Sequence, residues 1–107
     1  MSMTLVEQRD HHGLRYVGAE LDERGDLVVS GHDLGRGVEE ILGRSEYEWI
    51  IKTSADALPR LAALLDTDVD GLLARLAERF SGSNAFRLRS YLEQHGLVHD
   101  RFSWISD

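Results

Sequence analysis

The sequence has 107 residues, a length that fits one domain built around one hydrophobic core. Hydrophobic residues make up 42% of the chain and cysteine is absent, which excludes disulfides, thiolate catalysis and cysteine-ligated zinc. The 12 Lys and Arg residues against 19 Asp and Glu residues give a net charge of −7, so the average surface repels nucleic-acid phosphates. We therefore expect a single domain over residues 1–107 that does not bind nucleic acid.

The chain contains no segment typical of membrane proteins. The first 12 residues hold no apolar signal segment, and the longest apolar run, from Leu61 to Leu65, is far too short to span a bilayer. Together with the lack of cysteine, these features predict a cytoplasmic protein without membrane association.

The first half of the chain reads mainly as β-strands. Three segments rich in Val, Leu and Tyr, at 4–9, 14–22 and 26–30, are separated by turns that contain glycine, which predicts a meander. The glycine-rich GHDLGRG is predicted to break the sheet before a short helix over 38–42. Alternation in EYEWIIKT then predicts a fourth strand, over 46–53, with Tyr47, Trp49 and Ile51 on its buried face.

The second half reads as helices. A helix capped by Ser54 or Asp56 is predicted up to residue 65, and a second, capped by Thr67 or Asp68, carries the clearest helical repeat, at Val69, Leu72, Leu73, Leu76 and Phe80. A third helix is predicted from a cap at Ser83 to an end at Gly96. Phe102 and Trp104 in the tail are costly to leave in water, so we expect the tail to pack on the sheet or to form a last edge strand. These elements predict an α+β fold, with an antiparallel sheet of about four strands and the C-terminal helices on one face.

Several sequence patterns resemble known sites only in part. Asp66 to Gly71 matches the start of a calcium-binding EF-hand loop, but Ala77 stands where that loop needs a bidentate Glu. Three glycines between residues 31 and 37 precede a predicted helix, yet they do not match a phosphate-binding motif. The helices over 69–80 and 84–95 have the lengths of a helix-turn-helix pair, but an ordinary antiparallel pair fits an acidic protein better. No pattern indicates a cofactor.

The histidines offer one candidate metal site. His95 and His99 have the i, i+4 spacing of a metal pair, but Gly96 between them predicts that the helix ends there. His32 is closely followed by Asp33 and then by Glu39 and Glu40, and an imidazole with three carboxylates can bind a divalent ion. This group favours a small metal-dependent enzyme as an alternative function.

The stretch from residue 31 to residue 48 is similar to a motif of a family of small bacterial proteins without an established activity. The resemblance extends loosely to Phe80, and it implies that the acidic helix and the following strand form one structural or functional unit. The matching positions are Gly31, Asp33, Leu34, Gly35, Val38, Glu39, Glu40, Glu46, Tyr47 and Glu48.

The acidic residues around this stretch form the candidate binding surface. If the short helix lies beside the fourth strand, up to five carboxylates share one region and would steer a basic protein partner. They are Asp33, Glu39, Glu40, Glu46 and Glu48. Because no catalytic set is recognisable, the main hypothesis is a non-enzymatic protein-binding module of the antidote or adaptor type.

Overall fold

A computed structural model describes residues 2–10, 13–35 and 46–106 of the chain. The described residues form five strands and three α-helices. In chain order these are β1 (Ser2–Asp10), β2 (Gly13–Leu21), β3 (Leu27–Leu34), β4 (Glu46–Thr53), α1 (Leu58–Leu64), α2 (Leu72–Arg79), α3 (Leu88–Gln94) and β5 (Asp100–Ser106), with 3₁₀ turns at Ala55–Ala57 and Gly82–Arg87. None of the helices in these ranges is long and apolar enough to cross a membrane.

The five strands form one antiparallel sheet in the order β1-β2-β3-β4-β5. The α+β class is confirmed, but the sheet has five strands instead of about four. The additional strand is the tail, which follows the helices and returns to pair with β4. It is therefore an edge strand, one of the two placements that the aromatic residues of the tail predict.

One face of the sheet packs against the helices. Side chains alternate between the two faces of a strand, and most of the buried apolar residues of β2, β3 and β4 fall on the same face, whereas Val28, also buried, lies on the other. The residues on the shared face form one buried cluster with the apolar side chains of the helices. The cluster contains Val17, Ala19, Leu27, Val29, Trp49 and Ile51 from the sheet and Leu58, Leu61, Leu72, Leu73, Leu76, Phe80, Leu88 and Leu92 from the helical region. The helical repeat of the second predicted helix is therefore confirmed as core at Leu72, Leu73, Leu76 and Phe80, whereas Val69 is partly buried and precedes α2.

Strand β3 is longer than its sequence pattern indicates. The prediction that GHDLGRG breaks the sheet is wrong for its first four residues, because β3 continues to Leu34 and pairs along its whole length with β2 and β4. Hydrogen bonding on both sides overrides the weak strand propensity of glycine. The short helix predicted over 38–42 lies outside the described residues.

The helix ends follow local rules that the sequence carries. Two residues beyond the end of α3, Gly96 has a φ of 66°, and the Leu97 N–H donates to the Leu92 carbonyl, as in a Schellman motif. The predicted end at Gly96 is thereby confirmed. At the end of α1 the same arrangement places Asp66, at a φ of 57°, in the left-handed region, and Thr67 N–H donates to the Ala62 carbonyl.

The helix starts agree less well with the predictions. Ser54 caps the first 3₁₀ turn by accepting a hydrogen bond from the Asp56 N–H. Asp68 accepts a hydrogen bond from the Gly71 N–H at 2.8 Å, although regular α-helix begins only at Leu72. The predicted cap at Ser83 is wrong, because Ser83 lies inside a 3₁₀ turn that precedes α3.

Candidate functional site

The face of the sheet that points away from the helices is called the open face here. Strand pairing arranges its residues in rows that run across β3, β4 and β5. In order along β4, from its first residue to its end, the rows are Leu34–Glu46–Ser106, His32–Glu48–Trp104, Ser30–Ile50–Phe102 and Val28–Lys52–Asp100. The first two rows bring together two carboxylates, an imidazole and an indole from three strands.

His32, Glu46 and Glu48 form a compact group on the open face, called the acidic cluster below. His32 Nε2 lies 2.7 Å from Glu46 Oε1 and 3.2 Å from Glu48 Oε1. The three side chains are only 25–31% exposed. An ionised carboxylate accepts hydrogen bonds and cannot donate them, so Nε2 is the donor when both glutamates are ionised.

The two glutamates perturb each other electrostatically. A hydrogen bond between the carboxyl groups of Glu46 and Glu48 raises the pKa of Glu48 above its ordinary value, because only a protonated carboxyl can share a hydrogen with a second one. Partial desolvation acts in the same direction, and the positive charge of His32 opposes both effects. The cluster thus sets two carboxyl groups against a single imidazole, a composition that suits a cationic ligand.

The neighbouring strand supplies exposed aromatic side chains. Trp104 is 41% exposed and stands directly opposite Glu48, and Phe102 is 50% exposed and stands opposite Ile50. Residues directly opposite each other on neighbouring antiparallel strands have Cβ atoms about 4.5–5.5 Å apart. A ligand side chain on Trp104 would thus be close to a carboxylate.

The structure separates the five carboxylates that the sequence suggests as a binding surface. Glu46 and Glu48 lie together on the open face. Asp33 lies on the opposite face of β3, on the helix side, where its Oδ1 is 3.4 Å from Arg15 Nε. Glu39 and Glu40 lie outside the described residues.

The same separation changes the candidate metal site. His32 remains in it, but its described neighbours are Glu46 and Glu48 and not Asp33. Their candidate ligand atoms all lie within 4.8 Å of one another. Sequence reasoning missed this grouping because it depends on the β3–β4 register, which pairs His32 with Glu48 across a connection of 11 residues, 35–45.

The other patterns singled out in the sequence have structural positions of their own. The Asp68 carboxylate accepts the Gly71 N–H within the turn before α2. His95 packs its ring on Tyr91, with centroids 4.5 Å apart, and α3 ends at Gln94, before His99. His95 and His99 therefore both lie in the connection between α3 and β5, without the shared helix face that a metal pair needs.

Comparisons with protein-family models, with curated proteins and with solved structures find no match. The similarity of residues 31–48 to small bacterial proteins stays a prediction.

Proposed function

We propose that the protein is a non-enzymatic binding module whose open face takes up a basic segment of a protein partner. The observation that carries the proposal is the row in which Glu48 stands between His32 and the exposed Trp104, with Glu46 beside it. A lysine or arginine of the partner would lie over the indole of Trp104 and reach the carboxylates of the acidic cluster.

The residue types in this arrangement suit a cationic side chain. Indole is the best aromatic platform for ammonium and guanidinium groups, and the attraction grows when water is excluded. Partly buried carboxylates form charge-assisted hydrogen bonds that are about twice as strong as neutral ones. Glu46 and Glu48 repel each other when both are ionised, so a bound cation also relieves an unfavourable interaction.

The charge of the whole chain supports the same class of partner. A net charge of −7 attracts basic proteins over a distance of about one Debye length, roughly 8 Å at physiological ionic strength. Long-range attraction brings the partner close, and the local arrangement of acids and indole selects how it docks.

The experiment is affinity capture from the native lysate with the wild-type protein and with the Glu48→Gln and Trp104→Ala variants, followed by mass spectrometry. Both changes remove one element of the proposed contact at sites that are partly exposed. We expect a basic protein that co-purifies with the wild type and is lost, or reduced at least about tenfold, with each variant.

Asp33→Asn provides the matched control. It removes one carboxylate from the adjacent residue of β3, but on the other face of the sheet. Capture should be unchanged in this variant. If no basic protein depends on both Glu48 and Trp104, or if Asp33→Asn is equally damaging, the open face is not the docking surface.

A second candidate function is a divalent-metal site that serves a small metal-dependent enzyme. The observation that favours it is that His32, Glu46 and Glu48 each offer one ligand atom and that these atoms lie within 4.8 Å of one another. One imidazole and two carboxylates are acceptable zinc ligands, and a three-residue site leaves a fourth position for water or substrate. The water bound there would have a lowered pKa and supply a nucleophile.

This candidate is tested by thermal unfolding with added zinc, nickel or manganese. Binding to the native state raises the melting temperature in proportion to the logarithm of metal concentration. A rise of several degrees that disappears in His32→Ala and persists in Asp33→Asn supports the metal site. Equal melting temperatures with and without each metal exclude it.

A further inference from the structure

We infer that the outer edge of β5 pairs with β5 of a second copy of this chain. Strand β5 hydrogen-bonds to β4 along one side, and in the described ranges no strand pairs with its other side. Every described side chain of β5, from Asp100 to Trp104, is exposed. A strand with free backbone groups and two exposed aromatic rings is a template for β-sheet extension.

The opposite edge of the sheet carries the features that block such pairing. Strand β1 contains a bulge between Thr4 and Val6, and its exposed end carries the charged residues Glu7 and Arg9. Bulges and charges are the common means by which edge strands avoid association. Strand β5 pairs with β4 without a register shift, and residues 102–106 hold no charge.

The sequence of β5 is complementary to itself when two copies run antiparallel. If the two-fold axis passes through Ser103, all seven residues are paired and Phe102 of each copy lies opposite Trp104 of the other. Asp100 then lies opposite Ser106 and Arg101 opposite Ile105, so that no charge faces a like charge. A register centred on Arg101 would instead place two guanidinium groups together, which is unfavourable.

A second copy fits this edge better than a basic partner does. One acidic and one basic residue make β5 neutral, although the chain as a whole is acidic. Antiparallel pairing about a perpendicular two-fold axis keeps the open face of both copies on the same side. The result is a ten-stranded sheet in which four aromatic rings form one cluster, two in each of two neighbouring rows, with the acidic cluster of each copy on the same face.

The size of the contact predicts a weak dimer. Fully burying a Phe or Trp side chain covers about 150–250 Å², so four half-exposed rings bring about 400 Å² of aromatic surface. Even with the backbone added, this is well below the roughly 1,600 Å² of a standard interface. We therefore expect a reversible dimer that forms at high protein concentration. The inference does not depend on the proposed binding of a basic partner.

Cysteine cross-linking tests the register, since the chain contains no natural cysteine. Residues that face each other across an antiparallel pair have Cα atoms about 4.5–5.5 Å apart, within the range that a disulfide spans. In Ser103→Cys the two thiols would meet at the axis. We expect this variant to form disulfide-linked dimers at least about tenfold faster than Ser90→Cys, an exposed position on α3.

Light scattering over a wide concentration range provides the second measurement. Phe102→Glu should raise the protein concentration at which half of the chains are dimeric at least about tenfold, because the pairing would bury its carboxylate against the indole of Trp104. Leu64→Glu, which alters a 44% exposed leucine on α1, should leave this concentration unchanged. Should Phe102→Glu fail to fold, the cross-linking result decides alone. Equal cross-linking rates for the two cysteine variants would overturn the inference, as would a dimer that Phe102→Glu does not weaken.

Discussion

The indole ring of Trp49 lies directly over Gly31, its partner on the neighbouring strand. A methyl group at Gly31 would overlap the indole ring. Arg89 covers the same indole, with its Cζ 5.0 Å from the ring centroid. Glycine at this position is thus required by packing, and the pair fixes how β3 and β4 meet under the helices.

Gly31→Ala should destabilise the protein by about 1–3 kcal/mol, the usual cost of overpacking a core. Chemical denaturation measures the change. The overlapping atoms are Nε1, Cε2 and Cζ2 of the indole, where its two rings join, and phenylalanine has a single smaller ring. Trp49→Phe should therefore lower the stability of the wild type but lessen the effect of Gly31→Ala. If the two effects simply add, the overlap with Trp49 is not the cause.

Asp66 ends α1 in a backbone conformation that favours glycine. It is the one described residue other than glycine with a positive φ, of 57°. Asp66→Gly should therefore leave stability unchanged or raise it by up to about 1 kcal/mol, and Asp66→Ala should lower it by about 1 kcal/mol. Both can be read from thermal unfolding. Asp70→Ala removes an equally exposed carboxylate without this constraint and should have little effect.

Thr53 is a buried residue whose hydroxyl group has no hydrogen-bond partner within the described ranges. Valine has nearly the same shape and no polar atom to desolvate, so Thr53→Val should stabilise the protein by about 1 kcal/mol. Thr53→Ser keeps the hydroxyl and loses the methyl group, and should destabilise it. A loss of stability in Thr53→Val on denaturation would mean that the hydroxyl is bonded in solution.

The elements that could be predicted from the sequence are those determined by local patterns. The repeat of Leu72, Leu76 and Phe80 marks a buried helix face wherever the helix is placed, and Gly96 marks a helix end through its own backbone preference. Both signals lie within a few residues of the structure they specify. They needed no knowledge of the sheet order.

The extension of β3 and the acidic cluster could not be predicted in the same way. Gly31 is a poor strand residue by itself, and it lies in a strand because β2 and β4 pair on its two sides. His32 and Glu48 meet only because one particular register aligns them, and a shift by one residue would turn Glu48 toward the helices. The sequence therefore indicated the acidic residues but not which of them share a face.

The raised pKa of Glu48 predicts a dependence of stability on pH. A carboxyl whose pKa is higher in the folded state than in the unfolded state stabilises the fold when protonated, and this contribution is lost as pH rises through the folded pKa. Glu48→Gln has no such titration, so its stability relative to the wild type should increase with pH above the ordinary range of glutamate. Unfolding curves of both proteins from acidic to neutral pH test this. A constant difference between them would contradict the raised pKa.

Charge on the open face should control how fast a basic partner associates. Once a partner is captured, its association rate should fall steeply as salt rises from low to physiological, since screening weakens the long-range attraction, and its dissociation rate should change less. Reversing Glu46 and Glu48 to Lys together should slow association by about tenfold or more.

Reversing the charge of Glu23 and Glu78, which are exposed elsewhere on the protein, provides the control, because it lowers the magnitude of the net charge by the same amount. If attraction depends on the local field of the acidic cluster, this control should slow association much less. Stopped-flow measurements can compare the association rates of the two double variants directly. Equal slowing by both pairs of substitutions would assign the effect to net charge alone. An association rate that neither salt nor either pair of substitutions changes would mean that Glu46 and Glu48 are solvated surface residues without a role in association.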